Sequence, residues 1–204
     1  FLLYATGSTH GDFERIRAFC EEMNMGQEDV MVILGDSGIE SSDEGKAVLA
    51  KIPVTILCMQ NDVSKENGVM ANYTRAPWNG GHVLYEPAFP NILFAQDGDI
   101  YQIGKLVTLV LNDGLCKDSF RDRIFEHLES VDRDVTLVLS RYAPMKYLLA
   151  DLASTGDGMA VEQALDLLDD RLKYWVWLCG HYPVQRKLKA RMDSLTDDYA
   201  VVPE

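Results

Sequence analysis

The sequence predicts an α/β protein in which parallel strands alternate with helices and deliver polar side chains to one edge of a sheet. Short apolar runs at residues 1–5, 30–34 and 54–59 are typical of buried strands. Helical segments separate these runs, and each run ends at glycine or at polar residues. With 204 residues, 47% of them hydrophobic, the chain can bury one core, and we expect a single domain over residues 1–204.

The loop after the first strand contains the first candidate site residue. Residues 6–12 read TGSTHGD, and Gly7 and Gly11 allow a tight turn before an amphipathic run begins at Phe13. Ligands of open α/β sheets bind beyond the carboxyl ends of the strands. His10 is therefore a candidate site residue before any family is considered.

The next two strands repeat this arrangement. The strand at residues 30–34 ends at Asp36, and the strand at 54–59 runs into Asn61 and Asp62. Right-handed crossovers would make all three strands parallel, so their carboxyl ends would share one rim. We therefore expect His10 and these three side chains to converge there.

Helices are predicted from periodicity and capping residues. The first runs from Phe13 to about residue 25, and the second covers residues 42–49 with Ser41 or Ser42 as its N-cap. Two further helices are expected at about residues 120–130 and 159–172.

The second half of the chain is expected to form a second sheet. Turn signals separate short β-type runs, which we assign to this sheet at residues 82–85, 92–95, 100–103 and 106–111. Strands at 135–139 and 175–179 follow, and they end at Ser140-Arg141 and at Gly180-His181-Tyr182-Pro183. The tail after residue 187 is expected to be a final strand or helix with a loose end.

The charge of the chain restricts the kinds of molecule that it can bind, and its cysteines indicate the cellular compartment. The net charge of −13 without a basic run argues against nucleic-acid binding, because phosphate contacts need a clustered basic surface. Four widely spaced cysteines predict reduced thiols and a cytoplasmic protein. The sequence lacks an apolar stretch of the roughly 20 residues that span a bilayer, so no membrane contact is expected.

The ordered motifs at the strand ends resemble the calcineurin-like metallophosphoesterase family, in its small bacterial form. The motifs are GSTHG at 7–11, GD at 35–36, ND at 61–62, SR at 140–141 and GHYP at 180–183, with the turn at 78–81 and the loop at 90–91 as further matches. The resemblance implies an αββα sandwich of two mixed β-sheets flanked by helices. It also implies two divalent metals that activate water for attack on a phosphoester.

Four positions depart from the family pattern. Members of the family have aspartate where this chain has Ser8, histidine where it has Asp62 or Arg141, and a second histidine where it has Pro183. The resemblance leaves a reduced metal-ligand set, which is His10, Asp36, Asn61 and His181. It implies one divalent metal (Mn, Zn or Fe) at reduced occupancy, or none.

The substituted residues suit two-metal hydrolysis badly. A guanidinium at Arg141 stays protonated and would repel a cation placed beside it. Asp62, which replaces the family's histidine acid, is a poor proton donor at neutral pH if its pKa is ordinary. Asp62 and Arg141 are thus the candidate catalytic residues, and neither is a strong one. Asp12, Asp113 or Asp62 could replace lost ligands in space.

Three hypotheses about function remain at this stage. In the first, which we prefer, the chain is a pseudo-phosphoesterase that binds a protein partner with a basic surface or a phosphorylated ligand. In the second, it is an active phosphoesterase with one metal, and Arg141 stabilises the transferring phosphoryl group. In the third, it is a decayed gene product without a retained role.

Overall fold

The computed structural model describes residues 1–59, 72–130 and 134–203, which form two mixed β-sheets flanked by four α-helices. The helices are α1 (Phe13–Glu22), α2 (Asp43–Leu49), α3 (Asp118–Ser130) and α4 (Gly156–Arg171). The strands are β1 (Leu3–Thr6), β2 (Val30–Ile33), β3 (Thr55–Met59), β4 (Thr74–Trp78), β5 (Gly81–Tyr85), β6 (Ile92–Ala95), β7 (Ile100–Ile103), β8 (Leu106–Leu111), β9 (Leu137–Ser140), β10 (Val176–Cys179), β11 (Arg186–Lys189), β12 (Met192–Ser194) and β13 (Tyr199–Val202).

Each sheet has a parallel centre and antiparallel edges. The first sheet has the order β13-β1-β2-β3-β6-β5-β4, and β1, β2, β3 and β6 are parallel to one another. The second has the order β11-β12-β10-β9-β8-β7, and β12, β10, β9 and β8 are parallel. The expectation that the first three strands are parallel is confirmed, so their carboxyl ends lie at one edge.

The elements form four layers, which are two helices, the first sheet, the second sheet and two helices, and an apolar cluster fills each of the three spaces between them. The central cluster joins the facing sides of the two sheets, with Leu57 of β3 and Leu139 of β9 among its members. A second cluster packs α1 and α2 against the outer face of the first sheet. A third packs α3 and α4 against the outer face of the second sheet.

Within the described ranges, none of the helices combines the length and apolar character that a membrane crossing requires.

Local side-chain caps explain where the first two helices begin. The Asp12 carboxylate accepts the N–H of Arg15 at 3.3 Å, and the Ser42 hydroxyl accepts the N–H of Gly45 at 3.0 Å. These caps satisfy backbone donors that have no partner in the first helical turn. Of the two caps considered for α2, Ser42 is the one observed.

The sheet assignment of two predicted strands was wrong. Residues 82–85 and 92–95 belong to the first sheet, where β6 pairs with β3 and β5 pairs with β6. An alternating pattern indicates which faces of a strand are buried, but it does not indicate the sheet to which the strand bonds. The tail is not loose at its end either, because β13 pairs with β1 along its whole length.

Candidate functional site

The carboxyl ends of strands from both sheets meet at one rim, and Ser8 joins them there. Its hydroxyl donates to the carbonyl oxygen of Gly180, after β10, at 3.1 Å. The Ser8 hydroxyl oxygen also accepts the backbone N–H of Asp36, after β2, at 3.0 Å. Ser8 thus links the two sheets in this chain.

Glycine allows this close approach of three chain segments. A Cβ atom at Gly180 would stand 2.6 Å from the Cβ atom of Leu34, and one at Gly35 would overlap the Ser8 hydroxyl oxygen. Side chains at these two positions would push the sheets apart. The close packing of the two sheets therefore requires glycine at positions 35 and 180.

His10 lies at the tip of a tight loop supported by the neighbouring loop. The backbone N–H of Thr9 donates to the carbonyl oxygen of Asp36 at 3.1 Å, and the Thr9 hydroxyl donates to that of Ser37 at 2.9 Å. His10 itself is exposed and has a positive φ of 47°, a conformation that non-glycine residues seldom adopt. The loop therefore holds a strained histidine at the rim.

The Asp36 carboxylate takes part in the local turn. One of its oxygens accepts the N–H of Gly38 at 3.1 Å, which is the side-chain to backbone bond of an Asx turn. This contact supports a structural role for Asp36 and leaves its second oxygen for other partners.

His181 is half-buried between two tyrosines. Its backbone N–H donates to the carbonyl oxygen of Arg141 at 3.0 Å, and its ring centroid lies 4.6 Å from that of Tyr142 and 5.2 Å from that of Tyr182. Burial, together with smaller contributions from the charges of Arg141 and His10, lowers the pKa of His181 to about 4. The imidazole is therefore neutral at physiological pH.

Arg141 pairs with a carboxylate from another loop. Its Nη1 atom lies 3.3 Å from Oδ2 of Asp113, and both side chains are largely buried. The guanidinium carbon also lies 5.5 Å from the ring centroid of Tyr142. Arg141 thus forms an ion pair and a cation–π contact beside His181.

The turn that carries Asp113 is held by a partly buried carboxylate, that of Asp97. Asp97 accepts the backbone N–H groups of Asn112 at 2.8 Å and of Gly114 at 2.7 Å. Burial raises the pKa of Asp97 to about 6 despite these two bonds. Asp97 was not among the expected site residues, because its contacts join segments that are distant in sequence.

A pocket of about 290 Å³ opens at the rim between the two histidines. Its described lining consists of Ser8, His10, Gly180, His181, Tyr182, Pro183, Thr196 and Asp197. The structure thus brings together two expected metal ligands, His10 and His181, with two substituted positions. Asp36 and Arg141 lie beside this lining, and Asn61 and Asp62 lie outside the described residues.

Two pocket residues, Thr196 and Asp197, were not predicted from the sequence. Both belong to the acidic tail, which was expected to end loosely, and no local pattern marks them. They reach the pocket because the Gly7 N–H donates to the Thr196 carbonyl oxygen at 2.9 Å. Nη1 of Arg15 also donates to the carbonyl oxygen of Asp197 at 3.4 Å.

Tyr182 is anchored from the opposite side by a fully buried carboxylate. Its hydroxyl donates to Glu162 of α4 at 2.7 Å and accepts the N–H of Ala143 at 3.0 Å. Glu162 also accepts the N–H of Ser154. These bonds hold Tyr182 in place and so fix the backbone next to His181.

The described donor set does not fit a pair of divalent metals. The Ser8 hydroxyl is used within the fold, Arg141 carries a permanent positive charge, and Pro183 has no side-chain donor. Among residues 1–59, 72–130 and 134–203, no three His, Cys, Asp or Glu side chains are grouped to hold a metal ion. Two adjacent dications need several anionic and imidazole ligands.

Comparison with known proteins adds information on the fold alone. No family model matches the chain, and no curated protein matches it. One crystal structure resembles it with a TM-score of 0.58 at 10% sequence identity, and the match covers 98% of this chain and 94% of the other. This likeness supports an α/β architecture with two mixed sheets over the whole length.

Proposed function

We propose that this chain is a degenerate calcineurin-like phosphoesterase, with the αββα sandwich of that family, which binds a protein partner with a basic surface instead of hydrolysing phosphoesters. The observation that carries the proposal is the use of Ser8. Its hydroxyl bonds to Gly180 and to Asp36, so this position stabilises the rim instead of holding a metal.

The order of motifs along the chain supports the family assignment. Residues 7–11, 35–36, 140–141 and 180–183 all follow strands whose carboxyl ends meet at one rim. Convergence of four motifs at one place is more specific than any single motif.

Charge favours a basic protein partner over a phosphorylated ligand. The chain has a net charge of −13, and the described pocket lining includes Asp197 but neither lysine nor arginine, although the Arg15 guanidinium donates to the Asp197 carbonyl oxygen beside it. Arg141, which belongs to the motif at residues 140–141, is paired with Asp113. The negative net charge would therefore attract a basic surface and repel a phosphorylated ligand.

Hydrolysis assays test this proposal. The wild-type chain, Asp36→Asn and His181→Ala would be compared on aryl phosphomonoesters and phosphodiesters with Mn²⁺ or Zn²⁺. We expect turnover no higher than that of the buffer with metal for all three proteins. Turnover by the wild type that disappears in both variants would overturn the proposal.

A single-metal phosphoesterase is the second candidate function. The observation in its favour is that His10 and His181 line one pocket and that His181 is neutral at physiological pH. With Asp36 and Asn61, these residues would hold the ion, which would activate a water molecule. Metal-dependent turnover in the same assays would favour this candidate.

A further inference from the structure

We propose that the edge of the first sheet at β13 receives an extended segment of the basic partner as an additional strand. This inference rests on the proposed binding function and names the surface that would hold the partner. Strand β13 is the last strand of its sheet, and among the described residues β1 is the one strand that pairs with it. The backbone N–H and C=O groups that point away from β1 can therefore bond to an added strand.

The other three sheet edges have features that oppose the addition of a strand. Strand β4 contains Arg75 and Pro77, and β11 contains three basic residues and a shift of register. Strand β7 is covered, because the N–H of Gln102 donates to the carbonyl oxygen of Asn79 in the turn between β4 and β5 at 2.7 Å. Charge, proline, bulges and coverage are the features that keep edge strands from pairing. Strand β13 reads YAVV and has no charge, proline or bulge.

An exposed apolar surface lies beside this edge, on the side of the sheet that α1 covers. Tyr199 of β13 stacks on Phe19 of α1, with 3.6 Å between the ring centroids. Val201 follows on the same face of β13 and is 53% exposed. Met23, one helical turn after Phe19, is 37% exposed. An added strand would cover these two side chains with its own alternate residues, which favours apolar residues at those positions.

The charges around the edge favour a basic segment over an acidic one. Asp197 and Asp198 directly precede β13 and are exposed, and Glu22, at the end of α1, is exposed as well. Arg15 is half-buried here, and its guanidinium donates to four oxygen atoms of the fold, among them the Tyr199 hydroxyl at 2.9 Å. Lysine or arginine residues at the ends of an added segment are attracted to such a surface.

The same charges disfavour a second copy of the chain as the occupant. Each copy has a net charge of −13, so two copies repel one another. The segment that fits the edge is therefore extended, has apolar residues at alternate central positions and has basic residues at its ends. In such strand addition, main-chain bonds supply affinity and the alternate side chains supply specificity.

Binding of a synthetic peptide to the full chain tests the proposal. The probe is the acetylated and amidated peptide KKTVTVTKK, and binding is followed by NMR and by hydrogen exchange of the backbone amides. Two comparison peptides are matched to it: EETVTVTEE reverses the charge, and KKTVPVTKK keeps the charge but opposes strand pairing. We expect the first peptide to bind at least about tenfold more tightly than either of the others and to slow exchange in β13 but not in β4.

Two matched variants locate the binding surface. Val201→Lys places a charge on the edge strand and should weaken binding of the first peptide at least about tenfold. Leu167→Lys makes the same change in net charge at an exposed residue of α4 and should alter the affinity by less than about twofold. Thermal unfolding would confirm that both variants fold.

Four results would overturn the proposal. They are absence of binding by the first peptide, equal binding of either comparison peptide, slowed exchange in β4 or β11 instead of β13, and equal losses in the two variants. A dimer of the chain in analytical ultracentrifugation that is lost in Val201→Lys would also overturn it, because the occupant of the edge would then be a second copy. None of these measurements involves hydrolysis, so the proposed function keeps its own test if this inference fails.

Discussion

The hydroxyl of Ser8 donates to the carbonyl oxygen of Gly180 at 3.1 Å and so joins the carboxyl ends of β1 and β10. The bond crosses from the first sheet to the second at the rim that carries the candidate site. Because Gly35 and Gly180 have no side chains, the strands approach closely enough for this bond to form. Ser8 therefore belongs to a sequence motif, joins the two sheets and lines the candidate site.

Replacing this hydroxyl should destabilise the fold. Ser8→Ala leaves the Gly180 carbonyl and the Asp36 N–H without their partner, which costs about 1–3 kcal/mol when such groups stay buried. The free energy of unfolding in urea measures the effect. Ser41→Ala, at an exposed serine, is the control and should change it by less than about 0.5 kcal/mol. Equal effects of the two substitutions would contradict the structural role of Ser8.

The pKa of His181 should respond to Arg141. NMR titration of the wild type should give a midpoint near 4, and Arg141→Gln should raise it because one repelling charge is removed. Arg123→Gln, at an exposed residue of α3, is the control and should leave the midpoint unchanged. A wild-type midpoint near 6.5 would show that His181 is not buried as described.

This titration also predicts the pH dependence of stability. The folded-state pKa of His181 lies below its unfolded value, so its contribution to stability is present above about pH 6.5 and is lost as the pH falls toward 4. In His181→Gln, unfolding free energies should fall less steeply between pH 6.5 and 4. Identical slopes for both proteins would contradict this prediction.

Asp97 should act in the opposite direction. Its folded-state pKa is raised to about 6, so its contribution to stability is complete below its unfolded pKa of 3.8 and is lost as the pH rises through about 6. Asp97→Asn should remove this dependence, although one of the two N–H bonds loses its acceptor. Unfolding free energies at pH 4.5 and 7 measure the difference, with Asp118→Asn at an exposed residue as the control. An unchanged pH dependence would show that Asp97 does not titrate in this window.

The strain at His10 should be visible in a pair of substitutions. Both His10→Gly and His10→Ala remove the imidazole, but only alanine keeps a Cβ atom at a φ of 47°. The glycine variant should be more stable by about 0.5–1 kcal/mol in urea unfolding. At Arg17 inside α1, the same pair should show the reverse order, with glycine about 1 kcal/mol less stable. The same order at both positions would contradict the assigned backbone conformation.

Local patterns predicted the elements that build the site. Short apolar runs located β1, β2 and β3, and the preference of serine for helix starts located the beginning of α2. The carboxyl ends of β1, β2 and β10, which lie just before Gly7, Gly35 and Gly180, do meet at one rim.

Long-range pairing could not be predicted in the same way. Strand β4 was missed because Pro77 and polar neighbours weaken its β signal, which an edge strand tolerates. The partnership of Arg141 with Asp113, and the position of Asp197 in the pocket, depend on contacts between distant segments. No local pattern contains that information.

The metal content of the purified full chain is the sharpest test of the proposed loss of the metal site. The chain would be incubated with Mn²⁺ or Zn²⁺, desalted and measured by elemental analysis, with His181→Ala treated in parallel. We expect far less than one metal ion per chain and the same value for the variant, because the Ser8 hydroxyl is used within the fold and Arg141 is a cation. One or two ions per chain, lost in His181→Ala, would contradict it.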